Sequence, residues 1–372
     1  MVKILLWLEG FSPQFATAKH ISEKIDCEMY AVINVNKAKE FYEKQKFIEF
    51  KKKWYFRDCF NTTHLKPDLD YLCKIEKKYN INLWQIAYSD IIFNKFNKYY
   101  KFKADQILSI FEQECKFFEK VLDQVNPDFL IIRMTDSSDS QLIELICKAR
   151  GIKVLTQWFS RLGLRDIISS NVDTLDSNQN NKINQTFTFK ELQNYSEKYI
   201  EQEEDFRKNF KTSKSSRVKV TIEYLKMINN PKYRMHYTNF GKNTLNVIKN
   251  EFLFLLNKKI QNSFLKKSAK MKISQNKKFV YFPLQLEPER TLFIPAPFYS
   301  NQIEVISNIA KSLPVDYVLY VKEHPMQAVY GWRNTSYYKK ILDLPNVILI
   351  HPNFSNDTLL ENCQLVITIG GT

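Results

Sequence analysis

The sequence predicts an α/β protein built from two doubly wound parallel sheets. Three observations point there. Short apolar runs alternate with helix-length segments whose apolar residues recur every three or four positions. This alternation occurs twice, over residues 1–170 and 277–372, on either side of a polar and basic stretch. A length of 372 residues suits two domains.

The first half reads in order. Val2–Leu8 is a buried strand; with Glu9 so close behind, it is too short for a signal peptide. Pro13–Lys24 reads as a helix, Glu28–Asn34 as a strand and Lys37–Phe50 as a basic helix. Residues 51–85 are aromatic without a clear period. Between Leu83 and Val125 the spacing of Ile86, Ile91, Phe93, Phe96, Ile107, Ile110, Phe111, Phe117 and Val121 predicts a long helix or a helix pair, ended by Asn126-Pro127. Asp128–Ile132 is a strand, Ser138–Arg150 a helix closed by Gly151, and Ile152–Leu155 a strand.

From Asn171 to about Ser216 the chain is polar. Between Arg217 and Lys278 stand fifteen Lys/Arg against two acids, 15 − 2 = +13. That block holds most of the overall excess, 55 − 40 = +15. It would attract an anionic surface, or it could be a solvated helix face. Its apolar seam, Leu245, Ile248, Phe252, Leu255, Leu256, Ile260 and Phe264, predicts one or two linking helices packed on the first domain.

The second half alternates cleanly. Phe279–Leu284, Tyr317–Val321, Val347–Ile350 and Leu365–Ile369 read as buried strands. Asn301–Ser312, Thr335–Leu342 and Asn356–Asn362 read as helices, the last capped by Ser355. The final strand has no covering helix before Thr372, so the second domain is expected to be incomplete.

Composition narrows the classes. No apolar run reaches the ~18–20 residues of a membrane span. Six scattered cysteines without a Cys-x-x-Cys pair argue for a reducing cytoplasm. Five histidines show no H-E-x-x-H spacing. Charge alone does not carry nucleic-acid binding, since no recognition motif accompanies it.

The candidate site residues sit where strands end, on the edge where open parallel sheets bind ligands. Lys322-Glu323-His324-Pro325 follows the Tyr317 strand. Gly370-Gly371-Thr372 follows the Leu365 strand, and glycines there let backbone N–H groups approach an oxyanion. His324 can donate to phosphate. Gln285-Leu286-Glu287-Pro288-Glu289 follows the Phe279 strand and offers a general base with a positioning amide, or a polar loop paired with Arg290. In the first half, Asp136 follows the Asp128 strand and could cap the next helix or face the crevice. Arg161 and Arg165 follow the Ile152 strand and could hold an anionic group. His351-Pro352 repeats the His-Pro pair.

Phe279–Glu289, Tyr320–Pro325 and Leu365–Thr372 together resemble the capsule and surface polysaccharide biosynthesis proteins. Those are similar to GT-B glycosyltransferases, including β-Kdo transferases and some bacterial sialyltransferases. A weaker likeness to the acceptor-side domain covers residues 80–170, at Asn126-Pro-Asp-Phe-Leu and Arg150-Gly-Ile-Lys-Val. The resemblance implies two Rossmann-like domains with a nucleotide-sugar, CMP- or UDP-linked, between them. It places the donor phosphate on His324 and on Gly370, Gly371 and Thr372. It places a catalytic carboxylate on Glu289, where the family usually has Asp, four positions after Gln285. The Gly-Gly-Thr turn also departs from the family's Ser/Thr pair.

The reading is therefore a glycosyltransferase of surface polysaccharide assembly. Glu289 or Asp136 would take the acceptor proton. His324 and the glycine turn, with Gln285, Lys322 and Glu323, would hold the donor. No cofactor and no metal is expected, since N–H groups and histidine can stabilise the phosphate and no Asp-x-Asp motif is used. The acceptor would be a glycan or lipid-linked sugar met at the inner membrane face through residues 217–278. The rivals are a nucleotide-sugar epimerase of the same fold and a non-catalytic glycan- or anion-binding protein.

Overall fold

A computed structural model gives the architecture. The structure describes residues 1–9, 13–35, 39–60, 66–160, 165–172, 176, 186–195, 197, 222–228, 236–274 and 277–370. The chain divides into two compact units. One is Met1–Ala87 with Tyr100–Lys242; the other is Tyr88–Tyr99 with Asn243–Thr372.

The first unit holds a six-stranded sheet in the order β3-β2-β1-β4-β5-β6. Its strands are β1 Val2–Leu8, β2 Cys27–Ile33, β3 Phe50–Tyr55, β4 Phe129–Arg133, β5 Lys153–Phe159 and β6 Asp166–Ser169. The first five run parallel, and β6 returns antiparallel to β5. Alternation sorts β1 between two cores. Ile4, Leu6 and Leu8 pack with Ala31, Ile33, Ala18 and Tyr42. Trp7, on the other face, lies edge-on to Phe56 and Phe118 at 5.1 and 5.8 Å. The helices are α1 Pro13–Lys24, α2 Lys39–Lys44, α3 Leu69–Tyr79, α4 Leu83–Ser89, α5 Ala104–Val125 and α6 Ser138–Ala149. Asn126 ends α5 in the left-handed conformation, φ 46°, just before Pro127.

Two expectations change here. The basic helix stops at Lys44, and Phe50–Tyr55 is the edge strand β3. An edge strand needs apolar residues on little of its surface, so Lys51–Lys53 fit it. The segment 83–125 forms the helix pair among its expected alternatives, with Tyr88–Tyr99 assigned to the second unit. The strand after Gly151 is longer than expected and turns into β6.

The second unit holds a four-stranded parallel sheet in the order β10-β7-β8-β9. The strands are β7 Lys278–Pro283, β8 Tyr317–Lys322, β9 Val347–Ile350 and β10 Leu365–Val366. Between them run α8 Gln302–Ser312, α9 Thr335–Leu342 and α10 Asn356–Asn362. Val280, Phe282 and Leu284 face Ile306 and Ile341; Phe279 and Tyr281 face Leu359. Each such fully buried side chain contributes about 1.5–3 kcal/mol over exposure. Ser355 caps α10 by accepting from the Thr358 N–H at 3.3 Å. The last strand is shorter and more exposed than its apolar run suggests. It lies at the sheet edge, where, among the described residues, β7 alone pairs with it.

The basic block yields one long helix, α7 Thr244–Ser268, which belongs to the second unit and is no separate linker. Its seam is not buried. Leu245 is 79% exposed, and Ile248, Phe252, Leu255, Leu256 and Ile260 are exposed as well. Apolar residues occur all round the helix, with five in a row at 252–256, so no single face dominates. Its buried anchor is Leu265, which packs with Ala269, Tyr338 and Leu349.

Candidate functional site

In the second sheet the strand order reverses between β7 and β10. Ligands of doubly wound sheets bind outside the carboxyl ends at such a reversal. Gln285 leaves β7 and donates through Nε2 to Thr368 Oγ1 at 3.0 Å, tying the two strand ends together. Thr368 in turn donates through Oγ1 to the Gly370 carbonyl at 2.9 Å. A side chain at Gly370 would put Cβ 2.9 Å from Thr291 Cγ2, so the close approach requires glycine.

The loop after β7 is fixed by three side chains from later elements. Gln302 accepts from the Gln285 N–H at 2.7 Å and donates to Glu287 Oε1 at 2.7 Å. Gln327 accepts from the Glu287 N–H at 2.9 Å and donates to its carbonyl at 2.7 Å. Arg333 donates to the Gln285 carbonyl, and its Nε lies 3.8 Å from Glu287 Oε2. Glu287 is thus held inside the loop. Glu289 is half-buried at its far end and starts the single-turn helix Arg290–Phe293.

The turn after β8 is built on an ion pair. Glu323 is 0% exposed, and both its oxygens take Arg333 Nη1. It also accepts from Tyr338 Oη and the His324 N–H, each at 2.7 Å. This carboxylate anchors the turn and has no oxygen left for a ligand, contrary to the donor role expected of it. A buried pair of this kind must be fully bonded to offset desolvation. Lys322 is also buried, and its Nζ donates to Asn356 Oδ1. Burial lowers its pKa, opposed by the Asp357 charge.

His324 stands half-buried above this pair. Its Nδ1 accepts from the Met326 N–H at 3.2 Å. The neutral ring therefore carries its proton on Nε2, which leaves a donor for an oxyanion. Burial lowers the pKa of His324; the charges of Glu289 and Glu323 oppose the shift, while Arg333 and Lys322 add to it. His351 repeats the arrangement, with Nδ1 accepting from Asn353 N–H at 3.2 Å.

Among the expected donor residues, Gln285, His324 and Gly370 thus stand at neighbouring strand ends, and Glu289 is near enough for its charge to act on His324. Gly371 and Thr372 lie outside the described residues, as does Arg161. Thr368, Gln302, Gln327 and Arg333 are essential to this geometry and carry no motif. A cavity of about 780 Å³ opens in the same unit, bordered by Lys95, Lys98, Phe254, Glu287 and Arg333.

In the first unit Asp136 is exposed, one residue before the Ser137 cap of α6. Arg165 is exposed too, and donates to Tyr195 Oη at 3.3 Å. Among the described residues no group of three or more His, Cys, Asp or Glu is placed to hold a metal ion. Among them, too, no helix is long and apolar enough to cross a membrane.

The model of the capsule polysaccharide biosynthesis protein family matches residues 175–372, just over half of the chain. No curated protein sequence matches it. Among solved structures, the UDP-GlcNAc 2-epimerase of Methanocaldococcus jannaschii is similar at 13% identity and a TM-score of 0.24, covering 99% of this chain and 78% of its own. A second UDP-N-acetylglucosamine 2-epimerase is similar at 12% identity and a TM-score of 0.23, covering 94% and 69%. Likeness at that level is too slight to bear on function.

Proposed function

The chain belongs to the capsule polysaccharide biosynthesis protein family, and from that membership we propose that it is a glycosyltransferase that moves a sugar from a CMP- or UDP-sugar to an acceptor hydroxyl. Its role lies in polysaccharide biosynthesis; the transfer step is the proposal. The observation that carries it is His324, half-buried at a strand end, with its ring proton on Nε2 and the Glu289 charge acting on it.

The chemistry follows from those two groups. Glu289 takes the proton of the acceptor hydroxyl. That oxygen forms a bond to the sugar's anomeric carbon, while the bond from this carbon to the phosphate oxygen breaks and its electron pair leaves with the nucleotide. His324 Nε2–H and the backbone at Gly370 stabilise the charge that grows on the phosphate. Lys322 adds a positive field from beneath the edge.

The acceptor side of the proposal is a lipid-linked glycan at the cytoplasmic membrane face. The exposed leucines, isoleucines and phenylalanine of α7 stand among Lys249, Lys258 and Lys259, a combination that suits an anionic bilayer surface.

The test is turnover with and without the base. Wild-type protein incubated with CMP- or UDP-sugar and membrane glycolipid should yield glycosylated product. Glu289→Gln should lose turnover while keeping donor affinity. Sugar inversion without an acceptor would indicate an epimerase instead. Donor binding and product formation untouched by Glu289→Gln would remove Glu289 from the mechanism.

A further inference from the structure

The cavity of about 780 Å³ is lined by residues of the second unit alone. Its lining includes none of Gln285, Glu289, Lys322, His324 or Gly370, so it is not made by the candidate donor residues. At ~30 Å³ per water it would hold about 26 waters, room for roughly two or three sugar-sized rings.

The walls combine amides with aromatic rings. α7 contributes Asn250, Phe254, Asn257 and Gln261, at spacings of four, three and four, which puts three amides and one ring on a single helical face. An amide both donates and accepts, as a row of hydroxyls requires. The loop after β8 and the start of α9 contribute Tyr330, Trp332 and Tyr337. Trp332 is half-buried, and Tyr337 Oη has no hydrogen-bond partner among the described residues.

The cations set the sign of the ligand. Lys95, Lys98 and Lys340 line the cavity, and none pairs with a carboxylate among the described residues. Lys95 Nζ lies 5.1 Å from the centroid of Phe96, and Lys98 Nζ 5.2 Å from that of Phe254, so each charge is held over a ring. The Glu287 carboxylate also lines the cavity, but it accepts from Gln302 and faces Arg333. Three charges from two elements, in one cavity with amides and rings, favour a polyol bearing several carboxylates over a compact anion. We propose that this cavity binds a short acidic oligosaccharide, with its carboxylates on Lys95, Lys98 and Lys340, its hydroxyls on the α7 amides and a ring packed on Trp332. Such a site retains acidic polymer and takes no part in bond-making.

Calorimetric titration of the full chain tests the proposal. The acidic probes are trigalacturonate and a hyaluronan tetrasaccharide; the neutral one is maltotriose. At least one acidic probe should bind tenfold or more tightly than maltotriose, with a margin that shrinks as salt rises. Lys98→Gln combined with Lys340→Gln, and separately Trp332→Ala, should each weaken that binding several-fold. Lys66→Gln combined with Lys74→Gln, at exposed positions of the first unit, should leave it unchanged, which separates the cavity from the net charge of +15. Failure of both acidic probes to bind, indifference to the cavity lysines, or an equal loss from the first-unit lysines overturns the proposal. Displacement of the oligosaccharide by CMP or UDP overturns it too, since the cavity would then be part of the donor site. Binding of the acidic probes needs no nucleotide and no turnover, so it stands or falls apart from the transferase reading.

Discussion

Gln285 and Thr368 lie 83 positions apart, and a 3.0 Å hydrogen bond joins them across the reversal of the second sheet. That bond fixes the floor on which His324 and Gly370 would meet a phosphate. The rest of the site is arranged around it. Gln302 and Arg333 hold the backbone of Gln285, and Glu287 is locked behind it.

Thr368→Val removes the acceptor and leaves the shape. It should cost about 1 kcal/mol of stability in urea denaturation. Donor affinity should fall with it, because the strand end would no longer be registered to β7. Unchanged affinity would mean that the two strand ends are positioned by the sheet alone.

Arg333→Met strands the Glu323 carboxylate in a dry interior. A loss of roughly 3–5 kcal/mol is expected. The double variant with Glu323→Leu should recover part of it, since only the Glu287 carboxylate would then lack its arginine. Equal destabilisation by the single and double variants would count against the ion pair as the source.

Gly331 has φ +95°, and a Cβ there would lie 2.9 Å from Phe254 Cε2. Gly331→Ala should therefore cost on the order of 1–3 kcal/mol through backbone strain and displacement of the Phe254 ring. Adding Phe254→Ala should relieve the second part and not the first. Full recovery in the double variant would show that the backbone strain is negligible.

Glu9 gives a stability profile with a definite sign. Its pKa is about 7 when folded, against ~4.3 when unfolded. Between those values the folded chain binds more protons, so stability should fall as pH rises from about 4.3 to about 7. Glu9→Gln should flatten that part of the curve. Parallel curves for the two proteins in denaturation at pH 5, 6 and 7 would contradict the raised pKa.

Much of this was legible in the residues, and the failures have physical causes. The helices Thr335–Leu342 and Asn356–Asn362 and the strand Val347–Ile350 fall where periodicity puts them, because short connections leave the pattern little freedom. The strand Phe50–Tyr55 hides because its three lysines suit an exposed edge and mimic a basic helix. The α7 seam misleads because apolar spacing does not say whether anything covers it. His324 is visible from its Pro neighbour at a strand end. Arg333 and Gln302 are not, since each acts on a residue 10 to 48 positions away through tertiary geometry. Glu9 had a signal: it is an acid directly after the apolar run Ile4–Leu8, at the edge where ligands bind.

In the proposed transfer, His324 binds the donor phosphate. Calorimetric titration of CMP- and UDP-sugars into wild-type protein and His324→Ala at pH 7 measures it directly. Wild type should bind one of these donors. The variant, with an unchanged Tm, should bind it roughly ten- to a hundredfold more weakly, as loss of about 1.5–3 kcal/mol from a charge-assisted bond requires. Equal affinity in the two proteins would contradict the claim.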